Sequence, residues 1–313
     1  MLKLTSIRNV ESVPSENIDV FIAACGYEGR AIAASKKFHQ VARRKLAIGF
    51  ASQRELEYNA NKAWFESAGF DLVEVDDDKF RDTLNQYLSQ CSPERCVWNV
   101  EIDISCFNRF RMAHLVDALR KLPATEIAVT FRYSIAEFTP PAIDSAPTVT
   151  VAPVIPQFAG WTTRPDRPPA AIVGLGYEPN KAIGIVDHLE INNATWAYYP
   201  LGPIPEYYQR VLEANRSLLD IIQSDGRCQP YDLNEPAQLF SEINSLVDML
   251  KPHFNAVLIP FGPKLFALVT LLVASVHDDV GVWRVSSGSL EEPVNRKASG
   301  HVVSVSVNFR TKD

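Results

Sequence analysis

Short apolar runs alternate with amphipathic stretches along most of the chain. Residues 18–24, 45–52, 71–75, 96–105 and 126–133 have the composition of buried strands. Between them, residues 30–43, 55–69, 79–91 and 107–121 carry helical spacing, and Gly69 stops the second of these helices. Strands separated by helices of this length predict βαβ units and a mainly parallel sheet. The alternation lapses over residues 139–169, where Pro140, Pro141, Pro165, Pro168 and Pro169 break any regular element. It then resumes, with strands at 170–175, 195–199, 228–233, 256–260 and 280–286 and helices at 180–190, 205–223, 236–250 and 264–277. A last strand at 301–309 is expected to pair antiparallel at a sheet edge. The pattern predicts an α/β protein of two tandem Rossmann-like domains, residues 1–138 and 170–313, each a mainly parallel sheet with flanking helices, joined by a proline-rich linker at 139–169.

The halves also match in detail. Residues 20–31 read VFIAACGYEGRA and residues 170–182 read AAIVGLGYEPNKA, so Gly-Tyr-Glu recurs 150 positions later after an apolar run and before a basic residue. Downstream, the expected fourth strand leads into Cys106-Phe107-Asn108-Arg109 in one half and Phe261-Gly262-Pro263-Lys264 in the other. The same turn at the same step of two parallel patterns predicts an internal duplication.

Composition narrows the class. The 313 residues carry a net charge of −6, are 46% hydrophobic and have 22% charged residues, ordinary values for a globular protein with material for two cores. The mild acidity gives no signal for duplex nucleic acid, and Arg43-Arg44-Lys45 is too short for such a patch. Five cysteines without a C-x-x-C pair suggest reduced thiols in a cytoplasmic protein. Residues 1–8 lack the apolar core of a signal peptide, and the apolar run at 265–276 has about half the length of a membrane span, so it reads as a buried helix.

In a doubly wound sheet, strands one and four lie side by side, and ligands bind beyond their carboxyl ends. Those ends are the two repeated turns. The expected ligand-binding residues are Gly26, Tyr27, Glu28, Arg30, Ser105 and Arg109 in the first half, and Gly176, Tyr177, Glu178, Lys181 and Lys264 in the second. The tyrosines suit stacking on a base or ribose, or a lid over the sheet end. Arg109 and Lys264 open helices, where cations oppose the macrodipole, so an anion or the nearby glutamates would account for them better than helix stability. Glu28 and Glu178 compete with phosphate for a positive helix end, and fit ribose hydroxyls, an amino group, or pairing with Arg30 or Lys181.

Glu28, Asp103 and Glu178 are the candidate general acids or bases. Glu101 and Asp103, two apart on a strand, share a face and have the chemistry for Mg²⁺, but no third acid follows at nuclease-like spacing; a buried Asp103 that orders the turn is the alternative. Ser105 has no histidine in range to activate it. No P-loop occurs, Pro179 stands where a dinucleotide fingerprint needs glycine, and NAD is disfavoured. The six histidines form no metal-spacing pair. The run Asp76-Asp77-Asp78 reads as a solvated loop and helix cap.

Two Rossmann-like halves with Gly26-Tyr27-Glu28-Gly29-Arg30 beside Asp103-Ile104-Ser105, and Gly174-Leu175-Gly176-Tyr177-Glu178 beside Phe261-Gly262-Pro263-Lys264, resemble the CARF and SAVED nucleotide-sensing domains of bacterial antiphage systems. The resemblance spans most of the chain and is topological. It implies binding of a cyclic or short oligonucleotide in a composite pocket between halves. It also implies a stand-alone sensor, a nucleotide-processing enzyme or one subunit of a multi-gene system, since the chain has no obvious room for an effector domain. The expectation is therefore a nucleotide-binding protein, with two alternatives: a hydrolase acting on a nucleotide or nucleoside through Glu28 or Asp103, and a non-catalytic scaffold subunit that meets a protein partner.

Overall fold

The computed structural model describes residues 1–91, 97–141, 147–160, 164–191, 194–288 and 292–311. The chain forms two units, residues 1–137 with 293–313 and residues 138–292.

The first unit opens with β1 (Lys3–Asn9), β2 (Ile18–Cys25), α1 (Ala33–Phe38), β3 (Ala42–Phe50), α2 (Tyr58–Ser67) and β4 (Asp71–Val75). It continues with α3 (Asp77–Gln90), β5 (Val97–Asp103), α4 (Arg109–Lys121) and β6 (Glu126–Ala136). Strands β4, β3, β2, β5 and β6 lie in that order and all pair in parallel. Strand β2 is apolar from Val20 to Cys25 because helices cover both faces of a parallel sheet, and all its residues but Asp19 are buried.

The second unit begins with β7 (Thr150–Pro153), β8 (Pro169–Gly174), α5 (Lys181–His188), β9 (Thr195–Leu201), α6 (Pro205–Ala214) and α7 (Arg216–Ile222). It ends with β10 (Cys228–Asp232), α8 (Pro236–Leu250), β11 (Asn255–Pro260), α9 (Lys264–Val276) and β12 (Gly281–Ser286). Its sheet runs β10-β9-β8-β11-β12-β7, parallel except for β7 at the edge. Both units thus repeat one order, third-second-first-fourth-fifth, and place strand one beside strand four. Helix α9 is apolar all round because it is buried on all sides from Leu265 to Ser275. Among the described residues, no helix is long and apolar enough to cross a membrane.

The chain then returns to the first unit as β13 (Ala298–Arg310), which lies antiparallel between β6 and β1. This corrects the expected division. Residues 293–313 belong to the first unit rather than to a domain at 170–313, and the stretch expected to be only linker supplies β7. The physical reason is alternation: Val303, Val305, Val307 and Phe309 are buried in the first unit, while Ser304 accepts from Arg132 on β6 and Ser306 lies opposite Thr130. Cys96 and parts of the expected linker lie outside the described residues.

Two helices also differ from expectation. The helix expected at 30–43 is a 3-10 turn at Gly29–Ile32, the short α1, and a second 3-10 turn, so Arg43-Arg44-Lys45 falls in β3. The helix expected at 205–223 breaks at Asn215 into α6 and α7.

Candidate functional site

Strand β2 ends in a turn held on three sides. A Cβ on Gly26 would lie 2.9 Å from the Cβ of Cys106, so only glycine lets the strand-one and strand-four turns approach this closely. Asn61, buried on α2, donates its amide to the carbonyls of Gly26 and Glu28, each at 2.9 Å. Tyr27 is half-buried and packs on the unit's core.

Glu28 and Arg30, both placed among ligand candidates by the sequence, are buried and bind one another at 2.5 Å. Arg30 also donates to the Ser134 carbonyl at 3.1 Å. Burial alone would lower the pKa of this guanidinium; Glu28 beside it holds it above its ordinary value. Residues ahead of β13 complete the arrangement. Gly29 N–H donates to Asn295 Oδ1 at 2.8 Å, Arg30 N–H to the Arg296 carbonyl at 3.0 Å, and Arg296 Nη1 sits 3.2 Å from Glu28 Oε1. Asn295 in turn donates to Glu57 at 3.3 Å. The first turn's polar groups are therefore committed within the protein.

The same holds for β5. Asp103 accepts from Ser105 N–H at 3.0 Å and from Ser35 Oγ at 3.1 Å, and Ser105 Oγ accepts from Ser134 N–H at 2.8 Å. Burial raises the Asp103 pKa, against the pull of Ser105, Ser35 and Arg30. Asp103 thus has the turn-ordering role that the sequence left as an alternative. Its neighbour Glu101 is bound through both oxygens by Arg132, at 2.9 and 3.2 Å, and accepts from Ser15 as well. With its charge met by Arg132, Glu101 is not placed to join Asp103 in holding Mg²⁺. Among the described residues no cluster of three metal-ligating side chains occurs.

Arg109 is half-buried at the first position of α4, which Asn108 caps by accepting from Arg111 N–H at 2.8 Å. Arg111 itself, passed over by sequence reasoning, is fully buried. It donates to the Gly49 and Val75 carbonyls at 3.0 and 2.6 Å, pairs with Asp77 at 2.7 Å and stacks 3.7 Å over Phe50. It ties the carboxyl ends of β3 and β4 to two helices. Asp77, expected in a solvated run, is its buried partner's counter-charge.

The second unit builds the corresponding place differently. Gly174 accepts from the N–H groups of Phe261 and Gly262 at 2.9 and 3.0 Å, and a Cβ on Gly262 would lie 2.6 Å from the Leu175 carbonyl. The turns after β8 and β11 interlock. A Cβ on Gly176 would meet Phe261 O and Glu178 Oε2, each at 3.1 Å, which puts the Glu178 carboxylate beside that junction. Glu178 is half-buried and, among the described residues, makes no side-chain hydrogen bond or ion pair. Lys181 opens α5 and reaches Ser287, just beyond β12, at 3.4 Å, so its side chain runs across the sheet's carboxyl edge. Lys264 opens α9 and is half-buried. Tyr177 lies 5.5 Å from the Tyr207 ring, which lies 5.1 Å from Phe138. Asn215, at the break between α6 and α7, donates to the Gly176 carbonyl at 2.7 Å and to Val211 O at 2.8 Å.

The sequence-predicted residues therefore gather at two strand-one/strand-four junctions, one in each unit. In the first, Glu28, Arg30, Asp103 and Ser105 are buried and bonded within the unit, while Tyr27 and Arg109 are half-buried. In the second, Tyr177, Glu178, Lys181 and Lys264 remain partly open to solvent. No protein-family model matches the chain, and no curated protein matches its sequence.

Proposed function

We propose that the second unit binds a nucleotide, single or as a short linear or cyclic oligonucleotide, where the turns after β8 and β11 meet. One observation carries this reading: strands one and four are neighbours there, and Glu178 and Lys181 at their joined ends are partly exposed, whereas their first-unit counterparts Glu28 and Arg30 are buried against one another. Lys181 and Lys264 supply positive charge for phosphate, Tyr177 a face for a base or sugar, and Glu178 an acceptor for ribose hydroxyls or an amino group. Such a protein would act as a sensor, in keeping with the resemblance to antiphage nucleotide-sensing domains.

The test is a thermal-shift screen against mononucleotides, dinucleotides and cyclic oligonucleotides, with and without Mg²⁺. A ligand of the native state raises the melting temperature by mass action. The expected result is a shift that Lys264→Ala and Lys181→Ala abolish and Arg30→Met variants, compared at equal folded fraction, retain. Full shifts in both lysine variants would remove the reading, and no shift with any nucleotide would turn attention to a protein partner.

A hydrolytic version rests on Glu178. It is a carboxylate without an ion-pair partner among the described residues, whereas Glu28 and Asp103 are committed. If the site turns over its ligand, Glu178→Gln stops product formation while binding persists; turnover unchanged in that variant would exclude Glu178.

A further inference from the structure

The two units share a device that the sequence repeat does not display. Asn61 and Asn215 share a short Ala-Asn-basic stretch, Ala60-Asn61-Lys62 and Ala214-Asn215-Arg216, and each follows the second strand of its unit. Each is nearly inaccessible, at 2% and 4% exposure, and each points its amide at the glycine carbonyl of its unit's Gly-Tyr-Glu turn. The donor assignment is unambiguous, because all four acceptors (Gly26 O, Glu28 O, Gly176 O and Val211 O) are carbonyls and only the NH₂ end can serve them. One NH₂ satisfies two carbonyls in both units.

The local structure bends to allow this. In the second unit the helix after β9 is interrupted at Asn215, where φ is −114° and ψ is 14°, and the break presents that side chain to Gly176. In the first unit the same contact comes from within an unbroken helix, α2, and is doubled onto Glu28 O. Two different backbones thus arrive at one interaction. The shared element is the orientation of the peptide that links the glycine to the tyrosine, and that plane sets where Tyr27 or Tyr177 and the following glutamate project.

We infer that Asn61 and Asn215 are positioning residues that fix the two Gly-Tyr-Glu turns, and that Asn215 thereby holds Tyr177 and Glu178 in the geometry that binds ligand. The first part stands on the hydrogen bonds; the second rests on the proposed nucleotide site. Hydrogen exchange read by mass spectrometry tests the first part without any ligand. In Asn215→Ala, the amides of residues 176–181 are expected to exchange about tenfold faster, as for the loss of one buried hydrogen bond, with β8, β11 and α9 unchanged. Asn61→Ala is expected to do the same over residues 26–31. Asn215→Asp, which keeps the shape and loses the donors, guards against an effect of the cavity alone. Unchanged exchange at 176–181, or acceleration spread through the whole unit, would overturn the positioning role.

Titration with ATP and cyclic di-AMP tests the second part. The expected result is binding weakened about tenfold in Asn215→Ala and unaltered in Asn61→Ala, per folded molecule. Equal affinity in wild type and Asn215→Ala would refute the link to binding while leaving the exchange result intact. If wild type binds neither probe, the nucleotide reading fails for these ligands and the link fails with it, and the exchange data still decide the positioning role.

Discussion

At the scale of single residues, the first unit carries an unusual load of buried charge. Arg132 and Glu101 are both about 2% exposed and meet through two hydrogen bonds, with Ser304, Ser15 and the Val13 carbonyl filling the remaining positions. Removing one partner strands the other. Arg132→Met is expected to lower unfolding free energy by about 3–5 kcal/mol, and Glu101→Leu with Arg132→Met by less than that single change; urea denaturation of the three proteins checks the order. His277 shows the opposite strategy, burial in the neutral form. Lys251 has only hydrogens to offer, so it donates to Nδ1 at 3.2 Å, which leaves the ring proton on Nε2 for Asn244 Oδ1 at 2.9 Å. Burial, and then Lys251, lowers its pKa below the ordinary 6.5, against Asp248, Asp279 and Asp278. The folded state therefore resists a proton that the unfolded chain accepts. Stability from this group is full above pH 6.5 and is lost as pH falls from there through the lowered folded value. Melting temperature followed from pH 8 to pH 5 is expected to decline more in wild type than in His277→Gln; parallel profiles would show that another group governs the decline.

At the scale of elements, the sequence showed most of the architecture because buried parallel strands are continuous apolar runs with helices of plain periodicity between them. Strands β4 and helix α8 fall where the pattern put them. Strand β1 was missed because an edge strand with exposed positions along most of its length has no such run. Helix α1 was overdrawn because the residues ahead of it are bound by Asn295 and Arg296, partners more than 260 positions away that no local pattern encodes. The same distance hid the fate of the first candidate site. Glycines separate packing from propensity at this scale. Gly174 ends β8 against Phe266, whose ring a Cβ would approach to 2.3 Å, whereas Gly184 sits exposed in α5 with nothing within 4 Å. Gly174→Ala is expected to cost about 1–3 kcal/mol through overpacking. Gly184→Ala is expected to add about 0.5–1 kcal/mol through helix propensity and a less free unfolded chain. Chemical denaturation that gave both changes the same sign would contradict this account.

At the scale of the whole molecule, the second unit is an insertion between two paired neighbours of the first. Strand β6 runs to Ala136, Glu137 N–H donates to the Lys297 carbonyl at 2.9 Å, and β13 starts at Ala298. The units are thus unequal in independence. A chain of residues 138–292 holds every strand of its own sheet and is expected to fold alone, with cooperative thermal melting. A chain of residues 1–137 lacks β13, which leaves β1 with no partner strand and β6 an open edge, and is expected to fold incompletely or aggregate. Cooperative folding of the shorter N-terminal piece would show that β13 is dispensable.

That order of strands also sets a timetable for synthesis. Among the described residues β1 pairs with β13 alone, and the entire second unit is translated between them. At cellular elongation rates, the ribosome takes roughly 10–30 s to deliver residues 138–292 of the second unit. Through that interval the nascent first unit lacks β13, and the β6 edge of its parallel sheet stays open. The second unit emerges whole and free to fold before the first can close. The newborn chain therefore acquires its accessible candidate site before the segment that seals the other one leaves the ribosome.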